Sequence, residues 1–145
     1  MNILIAAIGK FKSSDSHSLL IDEYLKRMSW NIKLASHPHE NKKADESHAL
    51  LTLSKSRHLI ALDMRGKELS SKEFVGLLSQ LQVHSINSLA FAIGGAHGHD
   101  ESLLGKANFV LSLSKLTLPH RLARVVLVEQ LYRAHSIIHN HPYHT

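Results

Sequence analysis

Apolar and polar positions along the chain switch between two periods, and the switches mark out the elements. Asn2 to Gly9 is a short apolar run closed by glycine, the pattern of a buried strand. From about Ser16 to Ser29 the spacing turns helical, with Leu20, Ile21, Tyr24, Leu25 and Met28 on one face. Trp30, Ile32 and Leu34 then alternate with Asn31 and Lys33, as a half-exposed strand does. A polar loop, His37 to Asp45, precedes a short helix carrying Ala49, Leu50 and Leu53. His58 to Asp63 predicts a third strand and Arg65-Gly66-Lys67 a turn. Ser70 with Glu73 predicts a capping box opening a helix with Phe74, Leu77, Leu78 and Leu81 inward. Leu89 to Ile93 predicts a fourth strand that ends at Gly94-Gly95. A short glycine-containing helical segment then leads to a fifth strand at Phe109 to Leu113.

The last third reads differently. A polar loop, Ser112 to His120, ends at a proline that suits the start of a helix. In the helix that follows, from Leu122 to Ile138, Val125, Val126, Leu127 and Val128 are consecutive and point nearly all the way round. Such a helix is expected to be buried on several sides, against its own sheet and against a second copy of the chain. Glu129 and Arg133 are spaced for an ion pair. The tail, His139 to Thr145, has nothing to pack a core.

Strands alternating with helices predict one α/β domain over residues 1–145, with a mainly parallel sheet and helices on both faces. In such sheets ligands sit outside the carboxyl ends of the strands. The loops after Leu62, Ile93 and Leu113 are therefore the candidate binding loops.

Composition narrows the function. No apolar run approaches the roughly 20 residues that span a bilayer, and the opening stretch lacks the basic lead of a signal peptide. With no cysteine there is neither a disulfide framework nor cysteine catalysis, in keeping with a cytoplasmic setting. The net charge is +5, and residues 102–145 hold five Lys/Arg against one acid, a concentration that suits a polyanion such as nucleic acid. Arg121 and Arg124 fall in the first turns of the last helix, where cations oppose the macrodipole; an anionic partner or full exposure would account for them. Thirteen histidines raise the question of a metal, but no H-E-x-x-H is present and no metal site is expected. The GGAHG loop, Gly94 to Gly98, fits neither the dinucleotide nor the P-loop pattern; a tight turn at positive φ is the plain alternative to a ligand role.

The glycine pair after the fourth strand, SLSKLTLPH before the last helix, EQLYRA within it and PYH at the end together resemble the SPOUT methyltransferases. Within them the chain is most similar to the ribosomal RNA large subunit methyltransferase H group. Gly9-Lys10 and the LDMRGKELSS segment fit the same group, so the likeness covers nearly the whole chain. The resemblance implies a deep trefoil knot in the C-terminal part, a homodimer, S-adenosylmethionine as methyl donor, and N3 of a 23S ribosomal RNA pseudouridine as acceptor. Another RNA substrate, or a silent RNA-binding dimer, are the alternatives. It places the cofactor at Leu62, Gly94, Leu113, Ser114, Lys115, Leu116, Thr117 and Leu118, within the three loops named above. An imide nitrogen must lose a proton, so the tail and last helix become the catalytic candidates: His144 as base, with His141, Tyr143 and Arg133, the arginine for charge stabilisation.

Overall fold

The computed structural model describes residues 1–144, the side chain of His144 excepted. Five strands, β1 (Asn2–Ile8), β2 (Asn31–His37), β3 (His58–Glu68), β4 (Ser88–Ile93) and β5 (Phe109–Ser112), form one sheet in the order β2-β1-β4-β3-β5. Every pairing is parallel. The alternating pleat sends Ile3, Ile5 and Ala7 to one face and Leu4, Ala6 and Ile8 to the other. On the first face lie α1 (Ser16–Leu25), α3 (Ser71–Val83) and α5 (His120–Ile138); on the second lie α2 (Lys43–Leu53) and α4 (Glu101–Lys106). A parallel sheet covered on both faces is what the continuous apolar strands require.

Several expectations change in detail. α1 stops at Leu25, and Leu20, expected inward, is 44% exposed, with Leu19 beside it at 57%. Met28 still packs on the core from the turn after the helix. Ser70 and Glu73 do form the capping box. β3 does not end at Asp63. It pairs with β5 through Leu62, bulges outward, and pairs again at Lys67 and Glu68. The expected turn at Arg65–Lys67 is thus a detour within a strand. Gly66 permits it, since a Cβ there would lie 2.5 Å from the Val110 carbonyl oxygen.

The apolarity of α5 is largely used within the chain. It is flanked by α1 and α3 in one helical layer and lies on the sheet, which buries Val125, Leu127, Val128, Leu131, Tyr132 and Ala134. Val126 is half-buried and Leu122 is 40% exposed. Burial on several sides therefore does not require a second copy.

Arg124 corrects the expectation for the cations of the first turn. It is 3% exposed and donates to the carbonyls of Ile8 and Gly9, each at 2.7 Å, and of Lys10 at 3.2 Å. Its guanidinium also lies over the Phe11 ring at 4.3 Å. Arg121 pairs with Asp15, the N-cap of α1, at 2.9 Å. The chain's own groups thus face both cations. Arg124→Ala would strand the buried Ile8 and Gly9 carbonyls and should lower the unfolding free energy by about 2–4 kcal/mol in urea titration. A loss below about 0.5 kcal/mol would show that water replaces the guanidinium without cost.

Candidate active site

The helices that follow β3 and β4 leave to opposite faces of the sheet, and such a divergence opens a crevice at the carboxyl ends of the strands. A cleft of about 500 Å³ occupies this place, a size suited to a small-molecule ligand. Three segments wall it: Leu62 to Arg65 from the β3 detour, Ile93 to His99 after β4, and Ser112 to His120, except Lys115, after β5. Ala123 of α5 completes the lining.

Each wall is set locally. The β3 detour is held by Arg65, whose guanidinium binds Asp63 at 2.9 and 3.0 Å, Glu101 at 3.1 Å and the His99 carbonyl at 3.1 Å. The Arg65 hydrogen bonds hold the Asp63 carboxyl below the usual carboxylate range. The glycine wall turns at Gly98, which has φ of 73°; Gly94 and Gly95 do not have positive φ. A Cβ on Gly94 would meet the Gly98 backbone at 3.2 Å, so glycine serves there for closeness of backbone. The third wall folds on its serines. Ser112 Oγ donates to the Ser114 carbonyl at 3.1 Å, and Ser114 Oγ accepts from the Leu116 N–H at 2.9 Å.

The three loops expected from the sequence therefore meet. Leu62, Gly94, Leu113, Ser114, Leu116, Thr117 and Leu118 all line the cleft. Lys115 does not; it extends into solvent, 3.9 Å from Glu68. Asp63, Arg65, His99 and His120 line it as well and were not singled out from the sequence. A short β-branched-poor segment such as Asp63–Gly66 carried no signal of a detour.

The tail residues lie elsewhere. Asn140, at φ 56°, ends α5, and the His141 N–H bonds the Ser136 carbonyl at 2.7 Å, a left-handed helix stop. The chain then turns through Pro142–His144. Tyr143 packs on Tyr132, with ring centres 4.5 Å apart, and its hydroxyl donates to Glu129 at 3.2 Å. Arg133 grips the same carboxylate at 2.7 Å, as the spacing predicted. Burial, with the Tyr24 and Glu129 contacts, pushes the Tyr143 phenol well above its ordinary pKa. The hydroxyl so placed is a hydrogen-bond donor to the Glu129 carboxylate. His141 is exposed, and the side chain of His144 lies outside the described residues. From Ala123 at the cleft to Arg133 is ten residues of helix, about 15 Å. Within one chain, the cleft and the tail are apart.

Residues 1–144 match the family described as predicted SPOUT methyltransferase. The chain belongs to the SPOUT methyltransferase family. It is similar to "Ribosomal RNA large subunit methyltransferase H" of Clostridium botulinum (strain Langeland), 40% identical over 159 aligned positions covering 99% of each chain. The Clostridium novyi protein of the same name is 39% identical over the same span and coverage. Among solved structures, a probable methyltransferase from Bordetella pertussis Tohama I aligns with a TM-score of 0.59 at 11% identity, covering 92% of this chain and 95% of that one. A probable methylase family protein from Haemophilus influenzae Rd KW20 aligns with a TM-score of 0.58 at 14% identity, covering 96% and 68%. These two show the fold alone. The SPOUT chain is thus a methyltransferase with a parallel α/β sheet and helices on both faces. Among the described residues no helix is long and apolar enough to cross a membrane, and no cluster of three ligating side chains could hold a metal.

Inside this methyltransferase cleft, His99 is 1% exposed, with Nε2 at 3.2 Å from the Ala92 carbonyl and Nδ1 without a partner. Burial lowers its pKa, as it does for His58, His120 and His135. The fold then prefers neutral imidazole. Stability should be flat above the ordinary histidine value of about 6.5 and fall as pH drops through that value toward the folded ones. Urea midpoints measured across this range test it. His99→Gln, which keeps a donor for Ala92, should flatten the slope, and an unchanged slope would remove His99 from the titration.

Proposed function

We propose that the chain methylates ribosomal RNA of the large subunit, using S-adenosylmethionine bound in the three-loop cleft, with N3 of a 23S pseudouridine as acceptor. The observation that carries this reading is the convergence of Leu62, Gly94, Leu113, Ser114 and Leu116–Leu118 on one cleft, in a chain similar over its whole length to ribosomal RNA methyltransferases. The residues suit the donor. Leu62, Ile93, Leu113 and Leu118 give an apolar floor, and the closely approaching backbone of the glycine and serine turns presents polar groups without long side chains. When bound, S-adenosylmethionine supplies an electrophilic methyl group. The protein's share is to position the acceptor and manage its proton.

The same reading makes the protein a cytoplasmic homodimer whose C-terminal part is threaded as a deep trefoil knot. Leu19 and Leu20 of α1 and Leu122 of α5 are exposed, and Asp15 and Arg121 tie the heads of the two helices together. With Leu116 and Met64 at the cleft rim, they offer the apolar surface a second copy would cover. Across such an interface the tail of one subunit, with His141, Tyr143, His144 and the Glu129-braced Arg133, closes the cleft of the other. Arg133 there stabilises developing negative charge.

Transfer of labelled methyl onto ribosomes lacking the modification, followed by nucleoside analysis, should yield 3-methylpseudouridine. Label in another nucleoside would overturn the acceptor. Gly94→Val should abolish the transfer and weaken cofactor binding at least tenfold by calorimetry, since its side chain enters a 3.2 Å gap to Gly98. Parent-like binding would take Gly94 out of the site.

A further inference from the structure

A buried acid stands behind the cleft. Glu46 of α2 is 1% exposed; its Oε2 accepts the Glu40 N–H at 3.0 Å and faces His39 Nδ1 at 3.4 Å, while its Oε1 has no partner. A half-satisfied carboxylate away from water is costly, and an Nδ1–H donated by the facing His39 offsets part of that cost. His39 lies on the loop between β2 and α2, and its ring rests over the ends of β1 and β4. A Cβ on Gly9 would sit 3.3 Å from its Nε2, and one on Gly95 3.1 Å from its Cε1. The two glycines leave room for the ring where helices depart to opposite faces. Facing it is His120, a wall of the cleft, with ring centres 6.0 Å apart at 78°.

We propose that Glu46, His39 and His120 form a proton relay for methyl transfer, in which His120 accepts the proton of the acceptor nitrogen and His39 passes it to solvent. This rests on the RNA methyltransferase reading above. As the new N–C bond forms and the S–C bond breaks, the electron pair stays on sulfur. The nitrogen's proton moves to His120, through one water to His39, and out, since the His39 side chain is 57% exposed. Glu46 is a positioning residue: it holds Nδ1–H of His39 and leaves Nε2 for exchange. The charged groups around the pair are Arg124 and Arg121 on α5, the latter paired with Asp15, and the His37–Glu40 pair on the loop. Burial first, then Arg124, His39 and Arg121, hold His120 below the ordinary histidine pKa, so it is neutral and free to accept at pH 7.

The test uses the full chain and its His120→Gln, His39→Gln and Glu46→Gln variants, with kcat followed from mildly acidic to alkaline pH on unmodified ribosomes. At neutral pH, His120→Gln should lose about 10²–10⁴-fold, and His39→Gln and Glu46→Gln a smaller, matching part. All three deficits should shrink at alkaline pH, where the imide ionises unaided. A loss independent of pH would mark a structural role and overturn the relay. The second readout needs no substrate: in imidazole NMR titrations the His120 midpoint should rise in His39→Gln, and an unmoved midpoint would overturn the coupling. A parent that binds cofactor yet methylates no RNA would sink the functional reading and the relay with it. Normal turnover with a parent-like pH profile in His39→Gln would sink the relay alone.

Discussion

The Arg124 guanidinium, buried between the last helix and the first strand, carries the hydrogen bonds of the Ile8, Gly9 and Lys10 carbonyls. A strand that ends beneath a helix has carbonyls that neither water nor the sheet can satisfy, and an unmet buried acceptor costs about 1–3 kcal/mol. The cation meets the two buried ones, of Ile8 and Gly9, and the half-buried one of Lys10. It thereby fixes the first turn of α5 against the end of β1. The loop before that turn must close back onto β5, which makes it a wall of the cleft. One side chain thus ties the start of α5 to the end of β1 beside the binding loop.

This explains why the sequence misled on the first turn of α5. Two arginines near a helix N-terminus oppose the macrodipole, and an external anion was one reasonable remedy. Strand carbonyls and Asp15 supply the negative ends from within. That contact is over one hundred residues away along the chain, beyond the reach of any local pattern. The strand and helix order, the capping box at Ser70 and the Glu129–Arg133 pair were legible because each is decided within a few residues. The β3 detour was not, since it depends on how closely Gly66 approaches β5. The three loops of the cleft were legible from position at strand ends. The burial of His99 and Glu46 and the place of His120 in the cleft wall were hidden because they are tertiary facts.

The division between cleft and tail gives the molecule its main constraint. Tyr143 and Arg133 are locked to Glu129 at the far end of α5, so the helix that builds the cleft wall also carries the tail away from it. A tail that acts on a cleft about 15 Å off along a rigid helix must act on another subunit's. In the homodimer proposed above, the exposed leucines of α1 and α5 would be covered at that meeting. His120, by contrast, belongs to the cleft of its own chain.

Complementation between two inactive chains tests this sharing most directly. One chain would carry Gly94→Val and an intact tail, the other an intact cleft and an end at Asn140. Mixed and re-equilibrated, they should recover methyl transfer in proportion to the mixed dimers formed, up to one working site in each. No recovery, with mixed dimers demonstrated by mass, would contradict a site shared between subunits.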